Sequence, residues 1–267
     1  MIVRRSAAAV TVALLTTGCG VVGGGDADCA ALPGDLVDPA ASFSDSFDGS
    51  GTLDGYVTNN PEALPGVEQR DGRYHVVLDD NSGNKTLHFH GDQGRLDARA
   101  VSFPFDYVAR NIGIGTVGDP QQAPVPDNAD TYIFAGVQVH DLRLDERNSS
   151  HVVVGHRGGT PFTIEGKNTC GGRSAVNDDG AGVLPDGRAD IRLVGNTDRT
   201  LTVYYQEPNL SPATIADDWT LYRGNGNLPG TAPEYGEVVY IGIITYAFNG
   251  QGLPFVGTVD EIEDLSR

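Results

Sequence analysis

Near the middle of the chain, Gln138 and His140 carry groups that can hydrogen-bond a ligand or, for the imidazole, move a proton. They close a β-branched and aromatic run, Tyr132 to His140, that reads as a strand. Alternate residues of a strand share a face. Phe134, Gly136, Gln138 and His140 therefore point one way, and Ile133, Ala135, Val137 and Val139 the other. The second face suits a core, and the first ends in two polar groups suited to lining a groove. Ser150 to Arg157 answers this run across a polar stretch, which predicts a hairpin spanning Thr131 to Gly159.

Other residues suit a sugar, since sugars stack on rings and hydrogen-bond at their edges. Tyr204, Tyr205, Gln206, Trp219 and Tyr246 fall on late strands or beside them, although Trp219 would equally serve as core. His88 and His90 form a His-x-His pair on one strand face, a two-ligand metal arrangement for which His140 is a candidate third partner. Glu261 and Glu263 share parity, but among the acids of the chain end a surface strand explains them better than a catalytic carboxylate pair. No Gly-x-Ser-x-Gly elbow or phosphate-binding loop is present.

The elements that must position these residues are strands. Phe43 and Phe47 share parity in an opening segment. Gly66 to Gln69 and Arg73 to Leu78 flank Asp71-Gly72, a pair favoured in the tight turn that matches strand twist. Strands are also expected at Thr86 to His90, Arg99 to Val108 with an interruption at Pro104, Phe162 to Gly166, Ala189 to Val194, Arg199 to Gln206, Trp219 to Tyr222, Val238 to Ala247 and Phe255 to Ile262. Residues 118–130 and 168–187 read as loops. No window has helical periodicity. The expected fold is all-β, an antiparallel jelly-roll β-sandwich over 43–267 with little or no helix.

The 267 residues open on an export signal, residues 1–18, with Arg4 and Arg5 ahead of an apolar core too short to span a bilayer. Leu15 to Cys19 resembles a bacterial lipobox, which implies lipidation of Cys19; the alternative is plain secretion with Cys19 in the discarded peptide. Residues 19–42, rich in Gly, Ala, Asp and Pro, read as a tether. With Cys19 lipidated, Cys29 and Cys170 are left to form a disulfide in an oxidising compartment, the alternative being a free Cys170 thiol. The formal charge is −18, becoming −20 without Arg4 and Arg5. Such a surface argues against nucleic acid and anionic lipid headgroups as partners, leaving membrane attachment to the N-terminal lipid.

Three segments together resemble the concanavalin A-like lectin/glucanase superfamily, laminin-G-like domains included. They are the acidic opening Phe43 to Gly49, the late Val239 to Ile243 and the closing Val259 to Ile262. The resemblance implies a sheet that binds glycans and a structural calcium ion near the paired terminal strands, for which Asp45, Asp48 and Asp260 offer hard oxygen donors. The hydrolase pattern Glu-x-Asp-x-x-Glu of that superfamily is absent. A second resemblance, to the jelly-roll alginate lyases, rests on Arg95 to Arg99, Gln138 to His140, and Tyr240 with Tyr246. It implies that Arg99 and Gln138 neutralise a uronate carboxylate while His140 and Tyr246 carry the proton in β-elimination. Asp97 stands where that family has glutamate, and its lysine between the tyrosines is missing. The sequence thus leads to an exported, lipid-anchored domain of the bacterial cell envelope that binds a carbohydrate or another envelope ligand without chemistry or required cofactor. The alternatives are a polysaccharide lyase and a structural or adhesion lipoprotein.

Overall fold

The computed structural model describes residues 37–40, 43–49, 53–64, 66–78, 94–124, 131–144, 148–157, 162–179, 184, 186–208, 218–248 and 253–266. The expected export signal, Cys19, Cys29, and the strand carrying His88 and His90 lie outside these residues. In chain order the strands are β1 (Val57–Asn59), β2 (Gly66–Arg70), β3 (Arg73–Leu78), β4 (Arg95–Ser102), β5 (Phe105–Gly115), β6 (Tyr132–His140), β7 (Ser149–Arg157) and β8 (Thr163–Cys170). They continue as β9 (Arg173–Asp179), β10 (Arg188–Gly195), β11 (Leu201–Gln206), β12 (Thr220–Leu221), β13 (Val238–Phe248), β14 (Phe255–Val259) and β15 (Glu261–Asp264). Among the described residues the helical content is a 3-10 turn at Tyr222–Gly224.

Two antiparallel sheets form a sandwich. One runs β1-β4-β13-β6-β7-β8-β9 and the other β12-β11-β10-β5-β14-β3-β2, with β15 pairing onto β5. Between them lies the main core. Ile133, Ala135, Val137 and Val139 of β6 meet residues such as Ile112, Ile114, Ile191 and Leu193 of the facing sheet, all at 1 % exposure or less. Burying each branched side chain stabilises the fold by about 1.5–3 kcal/mol.

The turns follow their residue types. Arg70 pairs with Arg73 across Asp71 and Gly72, whose φ values of 55° and 65° give the twisted two-residue turn expected there. The predicted central hairpin also forms, with Tyr132 opposite Arg157 and His140 opposite Ser149. Part of the expected 168–187 loop is instead a hairpin: β8 runs on to Cys170, and Gly171 and Gly172, at φ 56° and 76°, turn the chain into β9. Only a residue that tolerates positive φ makes so tight a reversal without strain. At Phe103 and Pro104 the chain leaves one sheet for the other, so Arg99 to Val108 is two strands rather than one. The last strand likewise divides at Asp260, and Ile262 bridges Asp45, placing the chain's end beside the opening segment as expected.

The outer face of the seven-stranded sheet is not the open polar groove that the sequence suggested. Leu96, Ala98, Ala100, Phe134, Val153, Val238, Tyr240 and Ile244 form a second buried apolar cluster there. Val37 packs against it, and the Ala40 N–H donates to the Ala100 carbonyl at 2.8 Å, so the end of the expected tether is bound to the sheet.

Candidate functional site

Beside that apolar cluster, the outer face carries a row of polar side chains set by strand register. Gln138 on β6 stands directly opposite His151 on β7, which stands opposite Lys167 on β8. One row over, His140 faces Ser149; on the other side, Val153 faces Glu165. Parity puts all of them on the face of Phe134, away from the main core.

Most of this row is buried. Gln138, His140 and His151 are each 2 % exposed, and Lys167 and Glu165 are 5 % and 6 %. Buried polar atoms almost always have hydrogen-bond partners. Among the described residues Gln138 Oε1, Ser149 Oγ and both ring nitrogens of His151 have none. His140 differs, since its Nδ1 lies 3.0 Å from the Asp141 carbonyl and 3.4 Å from Asp141 Oδ1.

Tyr246 on β13 closes one side of the row. Its ring lies 5.3 Å from that of Phe134 and stacks on His151 at 5.7 Å, and its hydroxyl donates to Glu165 Oε1 at 3.0 Å. His151 Nε2 is 4.0 Å from the same oxygen. Burial, and then the charge of Lys167, hold the His151 imidazole well below its ordinary range, so it is neutral at physiological pH. Burial also brings the Lys167 ammonium down to about 8, against the opposing pull of Glu165. The arrangement offers neutral acceptors and donors beside an aromatic wall, with one acid and one base of opposite charge at the margin.

The four residues of the lyase pattern divide. Gln138, His140 and Tyr246 share the outer face, but Arg99 has the opposite parity on β4, between Ala98 and Ala100 of the outer cluster. Its Nη2 donates to the Asp54 carbonyl, its guanidinium packs on Tyr56 at 4.4 Å, and it reaches Asp45 at 3.6 Å. Without that arginine the row lacks the carboxylate neutraliser which the pattern assigns to it.

The expected sugar-binding residues Tyr204, Gln206 and Trp219 are on the other side of the molecule, at the outer face of the eight-stranded sheet. Arginines stack on the rings: Arg192 lies 5.6 Å from Tyr204 and 5.9 Å from Trp219, and Arg110 lies 5.6 Å from Trp219. Arg192 pairs with Asp106 at 2.8 and 2.6 Å, Arg110 with Glu263 at 2.8 Å, and Gln206 donates to Asp190 at 3.0 Å. Cations with carboxylate partners thus stack on the rings that a sugar would use.

The three expected calcium donors are drawn to other partners. Asp45 accepts from the Phe47 N–H and the Tyr56 hydroxyl, Asp48 from the Ser46 hydroxyl, and Asp260 from Arg73 and Asn111. Among the described residues no group of three or more His, Cys, Asp or Glu side chains could hold a metal ion. Cys170 is disulfide-bonded.

Three members of the row, His151, Glu165 and Lys167, escape a reading of the sequence for motifs. The signal was the pairing itself: once β6 and β7 form a hairpin, Gln138 selects His151, and a β8 that continues past Gly166 brings Lys167 to the same row.

No protein-family model matches the chain, and no curated protein does. Solved structures do. A xylan beta-1,4-xylosidase from Bacillus halodurans C-125 superposes with a TM-score of 0.53 at 13 % identity, over 87 % of this chain and 40 % of the xylosidase. A legume lectin-like domain from Entamoeba histolytica gives 0.47 at 10 % identity, covering 80 % of this chain and 90 % of that one. A Bacillus licheniformis beta-glucanase gives 0.45 at 10 % identity, over 85 % and 99 %. This chain spans less than half of the xylosidase's length. The likeness to the xylosidase concerns the fold alone, an antiparallel β-sandwich of jelly-roll type.

Proposed function

We propose that this concanavalin A-like jelly roll is a carbohydrate-binding domain, exported and held at the bacterial envelope by a lipid on Cys19, and that it binds on the outer face of the seven-stranded sheet without chemistry. The observation that carries the reading is the polar row on that face, Gln138 opposite His151 opposite Lys167, set beside the half-buried ring of Tyr246. The Tyr246 ring beside them supplies the apolar surface on which sugars stack. A xylan-directed enzyme among the proteins of like fold adds a polysaccharide as a reasonable ligand. The reading calls for no cofactor, and the charge of −18 supports a partner other than nucleic acid.

Electrophoresis of the full chain through gels containing polysaccharides tests the proposal. Retardation by at least one polymer, reduced in His151→Ala, supports it. Unchanged mobility across neutral and uronate polymers would leave an adhesion or scaffolding protein.

A further inference from the structure

The chain from Asn225 to Tyr235 leads from β12 in one sheet to β13 in the other, and it is tied to both. The Val203 N–H of β11 donates to the Gly226 carbonyl at 2.9 Å, and the Asn168 N–H of β8 to the Pro229 carbonyl at 3.0 Å. Between this segment and the turn that joins β10 to β11 lies a cavity of about 290 Å³, half open to solvent. Asn168, which lines it, has the parity opposite to Lys167, so the cavity lies on the other side of β8 from the polar row.

The walls are largely apolar: Leu228, Pro233 and Tyr235 are buried and Leu201 is half-buried. Polar side chains among them are already bonded. The Asn168 amide donates to the Leu228 and Gly230 carbonyls and accepts from Ser150 at 2.6 Å; the Thr200 hydroxyl donates to Asp198 Oδ1 at 2.6 Å and the Tyr235 hydroxyl to Ser150 Oγ at 2.8 Å. Arg199 is the contrast. It lines the cavity from an exposed position, and among the described residues its guanidinium has no hydrogen bond or ion pair. Its backbone is held, since the Arg199 N–H donates to the Asn196 carbonyl and the Asn196 N–H to the Thr200 carbonyl, both at 2.9 Å. The turn sets Arg199 at φ 65°, a conformation that residues other than glycine seldom adopt.

A guanidinium keeps its charge at any physiological pH, and its fork of N–H donors matches a carboxylate in two parallel bonds. A phosphate dianion fits less well, because Asp198 is the next residue in the chain, the whole chain carries −18, and the apolar walls would go unused. A sugar would meet walls whose polar groups are already bonded. The volume is near the lower bound of ordinary ligand pockets, about 300 Å³, which suits a body about the size of one ring.

We infer that this cavity is a ligand site for a carboxylate on a compact apolar body, with the carboxylate on Arg199 and the body against Leu201, Leu228 and Pro233. It stands apart from the carbohydrate reading and does not depend on it. A free aromatic acid and a peptide ending in an apolar residue share this chemistry.

Calorimetric titration of the full chain with phenylacetate tests the inference. Controls are its neutral amide, phenylacetamide, and inorganic phosphate; a short peptide ending in phenylalanine, with a free or an amidated end, supplies the second source. Phenylacetate is expected to bind at least about tenfold tighter than phenylacetamide or phosphate. Arg199→Gly should lower that affinity about tenfold or more with the thermal midpoint unchanged, because glycine accepts the positive φ of the turn. Ala232→Phe, at an exposed position lining the cavity, should block binding by filling the space. Tighter binding of the free-ended peptide than of phenylacetate, lost on amidation and in Arg199→Gly, supports the site and makes a chain end its ligand. Absence of saturable phenylacetate and peptide binding, equal binding of phenylacetamide or phosphate, or binding indifferent to both variants would overturn the inference.

Discussion

The Tyr246 hydroxyl donates to Glu165 Oε1 at 3.0 Å although two strands, β6 and β7, separate the strands that carry them. The tyrosine lies across the sheet, its ring against Phe134 and His151, and ties the polar row to strand β13. Tyr246→Phe keeps the ring and removes the donor from a carboxylate that is 6 % exposed. A loss of about 1–2 kcal/mol in urea denaturation is expected, with carbohydrate affinity largely kept because stacking is kept. Affinity abolished at unchanged stability would instead place the hydroxyl on the ligand.

Lys167 makes stability depend on pH in a stated direction. Its ammonium is brought from an ordinary 10.5 down to about 8, so between those values the unfolded chain binds a proton that the folded chain has released. Stability then rises with pH across that window, and the burden is fully present below about pH 8. Lys167→Met should remove this rise, and denaturation midpoints of the two proteins between pH 7 and 10 will show it. Parallel curves would mean that Lys167 keeps its proton in the fold.

Strand parity made much of the fold legible. The alternation of Ile133, Ala135, Val137 and Val139 identified the core face, and Asp71-Gly72 identified its hairpin. The candidate site was less so. Gln138 and His140 were visible because they share one strand, but their partners come from strands whose register depends on turns such as Gly171-Gly172. Tyr204 and Trp219 suited a sugar by type alone; their engagement by Arg192 and Arg110 arises from pairing between distant strands, which no local pattern encodes.

Cys170 is disulfide-bonded at the end of β8, next to the turn into β9. Of the three cysteines, Cys29 is the expected partner, because a lipid on Cys19 would withdraw that thiol. Mass spectrometry without reductant should therefore find a peptide joining Cys29 to Cys170, and Cys170→Ser should cost about 2–4 kcal/mol. A Cys19–Cys170 peptide would rule out the lipid anchor.

The segment Arg95 to Arg99, the first part of the expected lyase pattern, is a structural lock. Asp97 is 0 % exposed and takes four donors: Arg95 Nε at 2.8 Å and Nη2 at 3.1 Å, Thr58 at 2.5 Å, and the Tyr74 hydroxyl. Arg95 also donates to the Leu64 carbonyl at 3.2 Å, so β1, β3, β4 and the turn before β2 meet at one carboxylate. Burial, then the Asp97 charge and its hydrogen bond, push the Tyr74 phenol well above its ordinary value, which keeps it protonated and donating. Asp97→Ala leaves a guanidinium and a phenol without their acceptor in the interior. The expected cost is about 3–5 kcal/mol in urea denaturation. Carbohydrate binding by the fraction that remains folded should be unchanged, because Asp97 has the parity opposite to the Gln138 row. A cost below about 1 kcal/mol would mean that water replaces the lost acceptor and that the four elements are held together by the apolar core alone.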